Sequence, residues 1–240
     1  MSEKIDIGIV TSHPSETRTI SALLKDACNK SFSLFTGAAG TLEGQRCAVI
    51  ESGMGKSRAY IAAKQLLTVF HPALIVDFGV AAAVSAGLAV GDVVIGQKVV
   101  DVAPLIEAWK QNDPFFLLPP RLTTEPPLEE LTASIQQDAA NMIKKLVGVK
   151  TGVIASADFF LHSSVVRNEL AQRGVDAFCY ETFAVTKAAS EAMTPWLSLR
   201  GISDTGNKDA LEQFHRSLNR VLTCARDALN QIVGFWFRKP

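Results

Sequence analysis

Apolar residues along this chain fall into short unbroken runs that alternate with stretches of helical spacing. The runs are bounded by Gly, Pro, Asn or Ser. They read as strands over Ile5–Thr11, Ser31–Thr36, Gln45–Ser52, Ala73–Gly79, Asp92–Val102, Thr151–Ala155, Ala177–Tyr180 and Trp196–Ile202. Apolar positions three and four apart predict helices over Ser15–Ala27, Gly55–Phe70, Leu128–Val147, Val165–Arg173, Glu181–Ala192 and Asp209–Phe235. The runs LIVDFG and WLSLRGIS have little polar face, as expected of interior strands covered on both sides. Strands alternating with helices predict an α/β fold with a mixed or mostly parallel central sheet. One stretch, Pro104–Pro127, holds six prolines and is expected to be a loop without regular helix, acting as a lid or an interface. No repeat or linker interrupts the pattern, so residues 1–240 are read as one domain.

Charge narrows the function classes. Lys+Arg and Asp+Glu both number 24, so the formal net charge is zero. That balance argues against a protein built mainly to grip nucleic acid or an anionic membrane. No apolar run reaches the roughly 18 residues of a membrane helix. The opening MSEKIDIGIV lacks a basic region and a cleavage site. A cytoplasmic location is expected. Cys28, Cys47, Cys179 and Cys224 are far apart and the four His are scattered, so neither zinc nor disulfides are expected, and no cofactor is called for.

Gly53-Met54-Gly55-Lys56-Ser57 ends like a phosphate-binding loop, and Asp77 resembles the strand aspartate that holds magnesium in such proteins. The full motif needs a glycine five residues before the second one, and here that position is Ile50. A tight strand-to-helix turn, with glycines permitting close packing, is the expected structure.

Five ordered segments carry a stronger signal: IGIVTSHPSE (Ile7–Glu16), ESGMGKSRA (Glu51–Ala59), FGVAAAVSAGLAVGDVVIG (Phe78–Gly96), ASADFFL (Ala155–Leu161) and YETFAVTKAA…PWLSLRGISD (Tyr180–Asp204). Together they resemble the nucleoside phosphorylase/nucleosidase family, most closely its 5′-methylthioadenosine/S-adenosylhomocysteine nucleosidases. The resemblance implies a three-layer α/β sandwich, with a mixed sheet between helices and a homodimeric assembly. It also implies hydrolysis of the N-glycosidic bond of a small-molecule purine nucleoside, with release of adenine from a 5′-substituted adenosine. A phosphorylase of the same fold and a non-catalytic nucleoside-binding module are the alternatives.

Breaking that bond passes through a ribosyl cation while negative charge flows onto the base. A proton donor must reach N7, the sugar hydroxyls must be held, and a nucleophile must approach the anomeric carbon. By resemblance, Asp204 is the acid; read alone, it fits better as a cap of the C-terminal helix. Glu16 matches the water-orienting glutamate, and Glu181 the acceptor of both ribose hydroxyls. Both also fit as first-turn acids of helices. Phe160 and Leu161 match the pair that holds the base, Phe214 an aromatic near the ribose, and Met54 an apolar contact to the 5′ substituent. Each of the two phenylalanines fits plain core packing as well. Tyr180 stands where the family has Met, and Ser203 precedes the acid. Ser12 and His13 lie near enough to touch substrate. Arg200 on a buried strand is expected to pair with a carboxylate, Glu16 being one choice.

Departures from the family pattern bear on the nucleophile. Val80 replaces the hydroxyl that binds phosphate in phosphorylases, and Cys179 replaces a further carboxylate. Around the turn after the third strand the chain offers Asp77, Phe78, Val80 and alanines, with no cation. Hydrolysis is therefore expected over phosphorolysis, because a dianion needs several donors. The C-terminal aromatics Phe235, Trp236 and Phe237 are too few for a membrane anchor and are expected to pack.

Overall fold

The computed structural model describes residues 4–116, 124–133, 146 and 148–237. Their elements run β1 (Ile7–Thr11), α1 (Pro14–Ser21), β2 (Lys25–Phe32), β3 (Phe35–Leu42), β4 (Gln45–Glu51), α2 (Lys56–Phe70), β5 (Leu74–Ala83) and β6 (Val93–Asp101). Then follow α3 (Ala103–Asn112), β7 (Glu129–Thr132), β8 (Val149–Ser156), α4 (Ser164–Gln172), β9 (Ala177–Cys179), α5 (Thr182–Glu191), β10 (Trp196–Asp204) and α6 (Ala210–Phe237).

All ten strands share one sheet. β2, β3, β4, β1 and β5 lie side by side in that order. β5 is long enough to hold three neighbours: β1, β10 and, at its C-terminal end, β9. From β10 the ladder continues through β6 and β8 to β9, so five strands close on themselves. The sheet is mixed: β1 runs parallel to β4 and β5, while β2–β3, β3–β4, β5–β9 and β6–β10 are antiparallel.

Side-chain alternation assigns each face a helical cover. Ile7, Ile9, Val76, Phe78 and Leu199 pack against Ile20 of α1 and Leu222, Leu229 and Ile232 of α6. Val10, Ile50, Ile75 and Trp196 face Leu66 of α2 and Ala188 of α5. Each fully buried Leu or Ile contributes up to about 1.5–3 kcal/mol, which far exceeds any helix propensity difference. Packing therefore fixes where the helices sit. Gly201 lets α6 lie close on β10, since a Cβ there would meet the Val221 carbonyl at 3.1 Å. Among the described residues no helix is long and apolar enough to cross a membrane.

Four expectations need correction. The first helix stops at Ser21 rather than Ala27, and Lys25 already begins β2. The expected strand Ser31–Thr36 is instead the tip of the β2–β3 hairpin, with Ser33 at φ +53° and Leu34 exposed. The proline-rich stretch contains a helix, α3, because Pro104 falls in its first turn, where no N–H is needed. Its apolar face buries Leu105, Ile106 and Trp109. Finally, Leu128–Val147 begins with a strand, β7, at the edge of β6. Residues 134–145 and 147 of that expected helix lie outside the described residues, as do Leu117 and Leu118 of the proline-rich stretch.

Candidate active site

The carboxyl ends of β1, β5, β8, β9 and β10 open on a cavity of about 290 Å³, where ligands collect in open α/β sheets. All ten residues singled out from the sequence line it: Glu16, Met54, Val80, Phe160, Leu161, Tyr180, Glu181, Ser203, Asp204 and Phe214. They come from seven separate elements or turns, so chain order alone does not make them neighbours.

Glu16 is the third residue of α1 and is 1% exposed. Its carboxylate accepts from the backbone N–H of Ser12 (2.9 Å), His13 (3.0 Å) and Val80 (3.1 Å), and from the Ser12 hydroxyl (3.2 Å). His13 Nδ1 accepts in turn from Ser15 N–H, completing a capping box. Glu16 thus caps a helix and faces the cavity, so the two readings of it are compatible. The N–H groups of Ser12, His13 and Val80 are thus all taken up by this one carboxylate.

Glu181 caps α5 without a side-chain bond to its own helix. Its Oε1 accepts from Gly55 N–H at 3.2 Å, at the start of α2. Burial, with the Glu16 charge nearby, pushes its carboxyl up to about 7 against the opposing pull of Arg200. Arg200 does not form its main pair with Glu16. Its guanidinium clasps Asp77, with Nε 3.1 Å from Oδ2 and Nη2 on Oδ1, and Nη1 lies 3.8 Å from Glu181 Oε2. The parallel pairing of β5 with β10 sets Ser198 opposite Asp77 and Arg200 opposite Gly79, placing these side chains on one face. Gly79 has no side chain because a Cβ would lie 2.6 Å from Glu16 Oε1 and strike Arg200. Asp77 is therefore not an unpaired anion beside the cavity; of the two acids, Glu16 is the one that lines it.

Asp204 ends β10, six residues before α6, and does not cap that helix. A register shift between Ile202 and Asp204 sets it opposite Ala82, and such a bulge re-aims a side chain. Its oxygens accept from Gly206 N–H (3.0 Å) and the Ser203 hydroxyl (2.8 Å). Burial raises its pKa and these two bonds partly offset the shift.

A family model described as the phosphorylase superfamily matches residues 6–234. The chain belongs to the phosphorylase superfamily. The 5′-methylthioadenosine/S-adenosylhomocysteine nucleosidase of Staphylococcus epidermidis is 24% identical over 231 residues, covering 95% of this chain and 98% of that protein. Its namesake from Actinobacillus succinogenes is 29% identical over 221 residues, covering 88% and 91%. Among solved structures, the nucleosidase of Neisseria meningitidis in complex with methylthio-immucillin-A superposes with a TM-score of 0.79 at 23% identity, covering 96% and 99%. The futalosine hydrolase of Helicobacter pylori gives 0.78 at 22%, covering 97% and 98%.

In this member of the superfamily the far wall of the cavity is aromatic. Phe159 packs edge-on against Phe178 and Phe116, at centroid distances of 6.3 and 5.3 Å. Phe116 thereby ties the middle of the proline-rich stretch to the cavity wall, while Phe115 is exposed. Across the cavity, the ring of Phe214 meets His13 edge-on at 6.2 Å. The mouth is formed by Met54 and Leu211, which are 60% and 58% exposed. Phe159, Phe178, Ala81, Ala82, Cys179 and Leu211 also line the cavity and were not singled out as ligand contacts. Apolar residues within strand ends look like core in sequence; only their position next to Phe160 and Glu181 marks them. Tyr180 lines the cavity half-buried, its hydroxyl pushed up to about 12 by burial and the Glu181 charge.

Proposed function

We propose that this protein hydrolyses the N-glycosidic bond of a 5′-substituted adenosine and releases adenine. The observation that carries the reading is a pair of buried carboxyl groups, Asp204 and Glu16, lining one small cavity. Asp204 is buried with a raised pKa, suited to give a proton. Glu16 accepts four hydrogen bonds that fix its carboxylate at the cavity, suited to orient a water. Asp204 protonates N7 as the C1′–N9 pair of electrons moves onto the base. Glu181 accepts the 2′ and 3′ hydroxyls. Water attacks C1′ and passes its proton to Glu16. Phe160 stacks on the base, with Leu161 beside it. Ser203 orients Asp204, and Phe214, Tyr180 and Val80 enclose the sugar. Met54 meets the 5′ substituent at the mouth.

The choice of water over phosphate follows from the bonds that Glu16 makes. Glu16 already occupies the N–H groups of Ser12, His13 and Val80, and it repels an anion. Arg18 bonds to Ser15 on the exposed side of α1 and lines a separate groove, so it supplies no phosphate site. The test is adenine release from methylthioadenosine in phosphate-free buffer, with the sugar identified by mass. Free 5-methylthioribose is expected. A requirement for phosphate, with a sugar 1-phosphate as product, would overturn hydrolysis in favour of a phosphorylase.

We further propose a homodimer. Met54 and Leu211 leave apolar surface at the mouth that a second copy would cover. Sedimentation equilibrium at micromolar concentration is expected to give twice the chain mass of 25.9 kDa. A single-chain mass would count against it.

A further inference from the structure

Beneath the cavity, one cation serves three acids. Arg200 is 1% exposed, and Asp77, Glu181 and Glu16 around it are 1%, 4% and 1% exposed. The guanidinium fork is taken by Asp77 through Nε and Nη2. Asp77 is itself held by the Thr182 hydroxyl at 2.7 Å and the Ser198 hydroxyl at 2.8 Å. Glu181 receives only the third guanidinium nitrogen, at 3.8 Å, which is ion-pair range without a hydrogen bond. Asp77 does not line the cavity, yet it holds both bonds of the Arg200 fork.

We propose that Asp77 is a positioning residue for sugar binding: by occupying the Arg200 fork it keeps the guanidinium off Glu181, leaving that carboxylate free for the ribose hydroxyls. The inference rests on the reading of Glu181 as the sugar ligand. Its physical basis is the preference of a guanidinium for two parallel bonds to one carboxylate. With Asp77 uncharged, Glu181 is the nearest acid able to take the fork, and it would turn away from the cavity to do so.

The groups that face Glu181 are Arg200 of β10, Asp77 of β5, Glu16 of α1, the Cys179 thiol of β9, Tyr180, and the Gly55 N–H before α2. Of these, Arg200 and Gly55 N–H favour its ionised form. Loss of the Asp77 charge removes a neighbour that raises the Glu181 pKa and frees one that lowers it, so both changes act downward. The fold also offers a second seat for the missing charge. Cys179 Sγ is 2.9 Å from the Thr182 hydroxyl, the same hydroxyl that touches Asp77 and lies 3.0 Å from Arg200 Nε. A carboxylate at position 179 can therefore reach the guanidinium.

The test compares wild type, Asp77→Asn and the double variant Asp77→Asn/Cys179→Asp. A readout independent of catalysis is the carbon-13 NMR titration of the Glu181 carboxyl, assigned by its loss in Glu181→Gln. Asp77→Asn is expected to lower its midpoint by about one unit or more, and the double variant to return it towards the wild-type value. In steady state, Asp77→Asn is expected to raise KM for methylthioadenosine about tenfold, leave the inhibition constant of free adenine unchanged, and regain wild-type KM in the double variant. An unmoved Glu181 midpoint, or equal weakening of nucleoside and adenine, would overturn the proposal. Where Asp77→Asn alone does not fold, the double variant decides: wild-type midpoint and KM support the proposal, and a raised KM in a folded double variant overturns it. If wild type releases no adenine from any nucleoside, the hydrolase reading fails by itself, and the carboxyl titration still tests the Arg200 geometry.

Discussion

Asp204→Asn is expected to lower kcat by at least about a hundredfold, as loss of a general acid does, while nucleoside affinity changes little. The substitution keeps shape and burial. Its amide oxygen can still accept from Gly206 N–H, the 3.0 Å bond that fixes the side chain. It carries no transferable proton, so the base must leave as an anion. An interaction used only in the transition state reduces kcat and kcat/KM together, whereas a lost ground-state contact would raise KM. A pH signature accompanies this loss. Because burial raises the pKa of Asp204, wild-type activity falls as pH climbs through that raised value and the proton is lost. That limb should be missing from the Asn variant. Single-turnover kinetics across pH test both points, and a variant within a few-fold of wild type would remove Asp204 from the acid role.

Glu16→Gln is expected to lower kcat by about a hundredfold or more, the usual range for a positioned base, and to destabilise the fold as well. A carboxylate offers two oxygens to the N–H groups of Ser12, His13 and Val80. A glutamine offers one oxygen and an NH₂ group that must point at donors. At least one buried N–H is then unmatched, at a cost of about 1–3 kcal/mol, which for a chain of this size lowers Tm by about 2–4 °C per kcal/mol. Thermal scans and single-turnover rates separate the two effects. Activity retained alongside a lowered Tm would leave Glu16 as a helix cap alone.

Sequence patterning captured most of the strands that are buried on at least one face, β3 being the exception. β1, β4, β6, β8, β9 and β10, with helices α2, α4, α5 and α6, fall within about two residues of their expected bounds, and β5 runs four residues further than expected. Two of the missed elements have little or no buried face. β2, Lys25–Phe32, is exposed at every position but its last, so no alternation marks it. β7 is four residues at a sheet edge. α3 was hidden by counting prolines without placing them, since Pro104 sits where a helix tolerates it. At the cavity, the five quoted segments supply nine of the ten chosen side chains, and Phe214 follows ten residues after the last of them. The Asp77–Arg200 pair was not legible, because it depends on the lateral register of β5 and β10, 123 positions apart in the chain.

The exposure gradient across the cavity divides what natural variation can change from what it cannot. Glu16, Glu181, Ser203 and Asp204 are each below 5% exposed and rest on strand ends or adjoining first helical turns. Replacing any of them disturbs packed or hydrogen-bonded surroundings. Met54 and Leu211 at the mouth are more than half exposed, and substitutions at such positions usually alter stability by no more than about 0.5 kcal/mol. A lineage carrying this scaffold can therefore vary the residues of the mouth at little cost in stability while the buried acids stay fixed.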